Sequence, residues 1–450
     1  MAAPKFLNLS PGRILILSFL FVITAGAFLL SLPIARVVDI PLIDILFTAT
    51  SATCVTGLKL VPMSYFSFFG QCIILGLIQI GGLGLMTLSI FLVSLVLNLN
   101  LVTRLVAGRI LDFEFFGKIK TFLKLIIGFT FITEFFGAVI LYFYFKNIFP
   151  LGKALYYSIF HSVSSFCNAG VTLFEPGISI LASNSLPLLT IATLVFFGGI
   201  GFVVWYEIGK NILMAFRNWW NDEPKKITTS LHTKVVLVTS SVLVLFGTIL
   251  FFILERANSL KDFSLWHQIV NSFFLSVSTR TAGFDTVDIA RMGLPILLII
   301  IVLMFIGASS SSTGGGVKVS TFTIFIATIV AIVKNKDTVE IFGRSISSEQ
   351  IFKTTVIIAL SLGWIGFTSF ILLITEPQFT FIQILFEAVS TFSTAGFSTG
   401  ITPFLSNIGK YVLMLSMLLG RLGALTLVLA LRKKDDKQLY KYPEERVLLG

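Results

Sequence analysis

The chain has 450 residues, of which 56% are hydrophobic and 12% charged, with 47 phenylalanines and a formal net charge of +11. Soluble domains carry about 25% charged residues, so a mean hydropathy of +0.96 excludes a water-solvated surface and places the chain in a bilayer. Three cysteines (Cys54, Cys72, Cys167) and three histidines (His161, His232, His267) are too few and too scattered for a disulfide framework or a zinc or haem site. The cations lie between apolar runs, where they set topology rather than bind nucleic acid.

The first apolar run, residues 13–34, is longer than a signal-peptide core of about 7–15 residues and reads as a retained membrane helix. A shorter stretch, 42–53, leads into Cys54-Val55-Thr56-Gly57, and a second long run follows at 68–97. The order then recurs. Runs 122–145, 154–166 and 186–215 surround Cys167-Asn168-Ala169-Gly170. Runs 234–254, 265–279 and 292–333 surround Arg280-Thr281-Ala282-Gly283, and runs 352–374, 380–393 and 407–431 surround Ser393-Thr394-Ala395-Gly396. Gly57, Gly170, Gly283 and Gly396 are spaced 113 residues apart, and four such units fill the chain.

The middle stretches are too short to span ~30 Å of hydrocarbon and fit re-entrant half-helices. The expected fold is an all-α membrane protein of four tandem helix–pore half-helix–helix repeats around a pseudo-four-fold pore, with eight transmembrane helices. The expected units are 1–100, 101–217, 218–335 and 336–432, followed by a cytoplasmic tail, 433–450. Of the 33 Lys and Arg residues, 22 fall on the side holding the termini and inter-repeat links and nine on the side of the glycine segments, with Lys318 and Arg421 inside membrane runs. The positive-inside tendency makes both termini cytoplasmic and brings the glycine segments in from outside.

Non-helical backbone at membrane depth must line a cavity or be buried in protein. Four such segments meeting on one axis would present rings of carbonyl oxygens, which replace the hydration shell of an alkali cation. Glycine permits the φ > 0 that turns successive carbonyls the same way. None of the four tetrapeptides contains a carboxylate, which suits a monovalent ion better than a divalent one. The half-helices would aim their negative C-terminal ends at the axis.

The third unit's second long run is interrupted by Gly307-Ala308-Ser309-Ser310-Ser311-Ser312-Thr313-Gly314-Gly315-Gly316-Val317-Lys318. Such a stretch cannot continue a helix in lipid, and the cavity beneath the filter is the expected place for it, as a gating loop. It does not match the phosphate-binding Gly-x-x-x-x-Gly-Lys-Ser/Thr pattern. Arg421 lies inside the last run, where a charge is by default a functional candidate; the carbonyls and hydroxyls of 309–313 are its expected partners. Nine residues before each glycine stand Thr48, His161, Phe274 and Glu387, of which His161 and Glu387 are expected to satisfy backbone or neighbouring hydroxyls behind the filter. Arg280 has Glu387 and Asp285 as carboxylates available to it.

Thr53-Cys54-Val55-Thr56-Gly57-Leu58, His161 to Gly170, Ser278-Thr279-Arg280-Thr281-Ala282-Gly283-Phe284 and Ser393 to Gly400 resemble the four filter sequences of the Trk/Ktr/HKT superfamily of potassium transporters. The resemblance covers nearly the whole chain. With one spanning run before the first filter, the chain is most similar to KtrB-type membrane subunits. That resemblance implies potassium uptake at the cell membrane with sodium as a second ion, a homodimer, and a cytosolic nucleotide-binding regulatory ring of the ATP, ADP or NAD type. It also implies an intramembrane loop in the helix that carries 307–318 and a pore-facing arginine in the last helix, at Arg421. No tightly bound cofactor and no enzymatic activity are expected, because no nucleophile, base and orienting group converge. The rival reading is a secondary cation transporter with alternating access, whose inverted repeats would place successive copies on opposite faces.

Overall fold

A computed structural model describes residues 11–84, 119–175, 177–221, 226–423 and 445. The described residues form helices α1 (Pro11–Ser31), α2 (Leu42–Cys54), α3 (Phe68–Gly82), α4 (Ile119–Phe145), α5 (Leu151–Phe166), α6 (Ser185–Ile200) and α7 (Phe202–Asn221). There follow α8 (Leu231–Glu255), α9 (Leu265–Ser278), α10 (Leu294–Phe305), α11 (Val319–Val333), α12 (Ser348–Thr375), α13 (Phe381–Phe392) and α14 (Asn407–Leu422). Strands Glu340–Ile341 and Arg344–Ser345 pair across Phe342-Gly343, both at positive φ, as a two-residue hairpin requires. Leu123–Phe145, Leu231–Glu255 and Ser348–Thr375 are each long and apolar enough to cross a bilayer.

Serine caps start several of the long helices: Ser67, Ser230, Ser347 and Ser406 each accept the amide three residues on. Polarity is then distributed opposite to that of a soluble domain. Phe21 and Phe28 of α1, Phe135 and Phe136 of α4, Phe246 of α8 and Phe370 of α12 are exposed. Ser51, Ser164, Ser278 and Ser390 of the short helices α2, α5, α9 and α13 are buried. An apolar rim around a polar, hydrogen-bonded centre is what a lipid solvent demands.

Small residues bring the short helices against the long ones. Ser162 of α5 donates to Glu134 O of α4 at 2.6 Å, and Ser276 of α9 donates to Val244 O of α8 at 2.7 Å. Gly137 and Gly247 leave the space these serines occupy, for a Cβ at either would strike the serine hydroxyl. Asp44 of α2 and Lys410 of α14, 366 residues apart, form an ion pair of 2.7 Å with both side chains nearly buried. It joins the fourth unit to the first.

Two long runs depart from the expected single span. The run at 186–215 turns by 97° between α6 and α7, because Gly201 adopts φ 98° and ends the helix. The run at 292–333 breaks between α10 and α11, where the glycine–serine segment lies. The expected continuations to 97 and 431, and the tail 433–450 save Glu445, lie outside the described residues.

Candidate functional site

Each short helix delivers its chain to a glycine segment through the same backbone path. Val55, Asn168, Thr281 and Thr394 have φ of 57°, 60°, 73° and 49°, and two residues on Gly57, Gly170, Gly283 and Gly396 have 89°, 64°, 68° and 82°. Positive φ was expected at the glycines alone. The four non-glycine residues are the less favourable ones, at about 1–2 kcal/mol each. A sterically costly conformation held four times over marks a functional constraint.

The glycines approach one another in a closed cycle. A Cβ added to Gly57 would strike the carbonyl oxygen of Ala169; one on Gly170, that of Ala282; on Gly283, that of Ala395; on Gly396, that of Thr56. In every case the atom met is the carbonyl preceding the next glycine. The last two residues of each filter candidate, Thr56-Gly57 of Cys54–Gly57, Ala169-Gly170 of Cys167–Gly170, Ala282-Gly283 of Arg280–Gly283 and Ala395-Gly396 of Ser393–Gly396, are therefore brought to one place. The hydroxyls of Thr53, Thr56 and Ser393 are buried there without a hydrogen-bond partner among the described residues.

A set of positioning serines was missed by the sequence reading. Ser51, Ser164, Ser278 and Ser390 donate to the carbonyls of Leu58, Val171, Phe284 and Phe397 at 2.9, 2.7, 2.7 and 2.6 Å. Each thereby ties the end of a short helix to the residue after the glycine. Ser51, Ser164 and Ser390 stand six residues before their glycine, but in the third segment the serine stands five before. That offset hides the set from a strict 113-residue register.

Two of the residues nine before the glycine, Glu387 and His161, brace the loops beyond. Glu387 accepts from Ser398 Oγ, the Thr399 amide and Thr402 Oγ1 at 2.5, 3.1 and 3.1 Å. His161 lies 2.9 Å from Thr172 Oγ1 and 2.7 Å from Tyr157 O, stacked on Phe174. Thr48 donates to Asp44 O within its own helix, and Phe274 is apolar core. Glu387→Ala removes the acceptor of the buried Thr399 amide, a loss worth about 1–3 kcal/mol, and leaves the Ser398 and Thr402 hydroxyls only each other, 2.8 Å apart. It is expected to lower the thermal transition of the purified protein by several degrees; an unchanged transition would contradict this bracing.

Arg280 departs from expectation. Neither Glu387 nor Asp285 pairs with it: its guanidinium donates to Ser240 Oγ at 3.1 Å and Ser240 O at 3.5 Å on α8. Glu387 is instead engaged by Ser398, Thr399 and Thr402, and Arg280 lines a small cavity with Val195, Phe196 and Val244. Asn168, by contrast, lies between units. It accepts from Thr281 Oγ1 at 3.3 Å in the amide orientation that donates to Ser165 O and Val195 O, both at 3.1 Å.

Residues 307–318 lie directly against this ring. Gly315 N donates to Thr394 Oγ1 at 3.0 Å, and Thr313 Oγ1 to Phe166 O, the end of α5, at 3.3 Å. A Cβ on Gly314 would meet Thr281 Oγ1. The loop is also pinned to the α6–α7 corner by Ser309 N to Gly199 O at 3.0 Å, Thr313 N to Gly198 O at 3.2 Å and Phe202 N to Ser311 O at 3.0 Å. Its stem is closed by Gly307 N to Val317 O at 2.9 Å. Ser312 Oγ donates to Ser309 O at 2.6 Å, and Ser310 Oγ faces Ser320 Oγ at 3.3 Å. Gly316 takes φ 70°. Lys318 folds back to donate to Gly314 O at 2.8 Å. Arg421 donates to Thr313 O, within its expected partners, and also to Gly81 O of α3. One guanidinium thus joins the loop to the first and last units.

The family model described as "TrkH: Cation transport protein" matches residues 14–441. The chain is 37% identical over 442 residues to the Ktr system potassium uptake protein B of Vibrio alginolyticus, covering 97% of this chain and 94% of that one. It is 35% identical to the protein of the same name from Bacillus subtilis, covering 99% and 98%. It is 36% identical to the potassium/sodium uptake protein NtpJ of Enterococcus hirae, covering 98% of each. Its fold is similar to the crystal structure of the potassium transporter TrkH from Vibrio parahaemolyticus, with a TM-score of 0.73 at 17% identity over 96% of this chain and 87% of that chain. With a family match over nearly its whole length, a matching fold and a lipid-type distribution of polarity, the chain belongs to the TrkH family of cation transport proteins.

Proposed function

We propose that this protein takes up potassium across the plasma membrane through the ring of four glycine segments, with residues 307–318 and Arg421 as its gate. The observation that carries the reading is the closed cycle in which each glycine faces the carbonyl before the next. Neutral carbonyls with buried, unpartnered hydroxyls beside them form a cage for a dehydrated monovalent cation. The names of the similar proteins from V. alginolyticus and B. subtilis support potassium as the ion, and the name of the E. hirae protein supports sodium as a second one. In this reading four units contribute eight spans and four half-helices, with both termini cytoplasmic. The protein works as a homodimer on a cytosolic nucleotide-binding ring, whose docking surfaces are the basic inter-repeat links.

Alternating access is the competing mechanism, and the position of the glycine segments discriminates. A single cysteine placed beside Gly57 and another beside Gly170 should both be labelled by an impermeant reagent from outside. Labelling from opposite faces would remove the pore reading. Tracer uptake into proteoliposomes tests function directly, with and without sodium and with and without a co-purified regulatory subunit. Potassium-saturable uptake above protein-free vesicles is expected. Its absence under all four conditions would overturn the proposal.

A further inference from the structure

We propose that α7 lies flat in the interface of the leaflet remote from the glycine segments and binds anionic lipid headgroups there. Three observations converge. First, α7 leaves α6 at 97°, so it runs across the direction of a spanning helix. Second, its height is set by α8. Glu207 accepts from Ser230 Oγ and Thr233 Oγ1 at the very start of α8. A helix of 25 residues is about 37 Å long and overruns the ~30 Å of hydrocarbon, so its first turn stands at the water boundary.

Third, α7 has the two faces such a position requires. At about 100° per residue, Ile208, Ile212, Leu213, Phe216, Trp219 and Trp220 share one side, and Lys210, Asn211, Arg217 and Asn218 the other. Ile212, Leu213, Phe216, Trp219 and Trp220 are between 59% and 75% exposed, so nothing within the described chain covers them. Apolar residues opposite cations, with a tryptophan pair at the end, are the composition of an interfacial helix on an anionic leaflet. Lys210 and Arg217, and Lys226 in the link that follows, are exposed and within reach of headgroups. The corner that feeds α7 is hydrogen-bonded to residues 309, 311 and 313, so the lipid seat also bears on the segment proposed above as the gate.

Quenching by brominated lipid tests this in nanodiscs containing the full chain. Trp266 is itself 58% exposed, so the reading is the difference between the wild type and Trp219→Phe/Trp220→Phe. Both substitutions sit on the uncovered face and leave the fold intact. The expected result is a quenchable component that disappears in the double variant. It should be about twofold larger or more with brominated phosphatidylglycerol than with brominated phosphatidylcholine. That ratio should fall to one in Lys210→Gln/Arg217→Gln/Lys226→Gln. Equal quenching in the wild type and the tryptophan double variant would overturn the proposal, since a second copy or another protein would then cover the face. A wild-type ratio of one would overturn it as well. Neither readout depends on transport, so failure here is separate from failure of the uptake reading.

Discussion

Replacing residues 309–316 by two glycines should raise potassium flux through the protein by about tenfold or more, with selectivity unchanged. The loop is held against the ring of glycine segments by Gly315 N to Thr394 Oγ1, by Thr313 to the end of α5, and by the Arg421 guanidinium. It gives no backbone hydrogen bond to the four glycines. Hydrogen bonds from a charged group contribute about 1.5–3 kcal/mol each, and ~1.4 kcal/mol is a tenfold change in rate. Arg421→Ala removes both the bond to Thr313 O and the bond to Gly81 O, together with a cationic barrier in a weakly screened region. It should therefore reproduce most of the effect by itself. Tracer uptake normalised to inserted protein measures it, with potassium and sodium compared. A well-folded variant with unchanged or slower uptake would show that the segment is a structural break and not the gate.

Serine at any of the four ring glycines should damage selectivity far more than protein yield. At Gly283 the backbone φ is 68°, and a Cβ would lie 2.6 Å from Ala395 O and 2.8 Å from Gly396 Cα. Either the segment leaves its conformation, losing the alignment of its carbonyl, or the neighbouring carbonyl is pushed aside. A left-handed non-glycine residue costs about 1–2 kcal/mol and the displaced carbonyl adds to it, so preference for potassium over sodium should fall about tenfold. Gly363 on α12 is the control: a Cβ there meets nothing within 4 Å, and Gly363→Ser should leave uptake kinetics alone. Unchanged kinetics in all four ring variants would sink the filter assignment.

The glycine segments were legible because their chemistry is local. A residue that must take φ > 0 is nearly always glycine, and the short helix before each segment is apolar enough to enter the bilayer and too short to cross it. The break at 307–318 was legible for the same reason, since no stretch of that composition continues a helix. Val55, Asn168, Thr281 and Thr394 were not, because nothing in a valine or threonine announces a left-handed backbone. That conformation accompanies the bonds by which Ser51, Ser164, Ser278 and Ser390 tie each short helix to Leu58, Val171, Phe284 and Phe397, a closure that shows only once the segment is folded.

Charged side chains divide the same way. That Arg421 would find loop carbonyls followed from its depth and from the polarity of the one segment at that level. That it would also reach Gly81, and that Arg280 would turn to Ser240 instead of a carboxylate, depended on which helices pack beside it. The sequence by itself determined the class of solvent, the 113-residue spacing of the four glycine segments and where the backbone must leave the helix, because hydrocarbon tests every segment separately for length and for satisfied amides. Tertiary structure alone decided the cyclic order of the glycines, the pairing of Asp44 with Lys410 and the 97° turn at Gly201. Hydropathy measures how much a residue avoids water and carries no direction, so the run at 186–215, whose charged residues are Glu207 and Lys210, averages as apolar whether it continues straight or turns at Gly201.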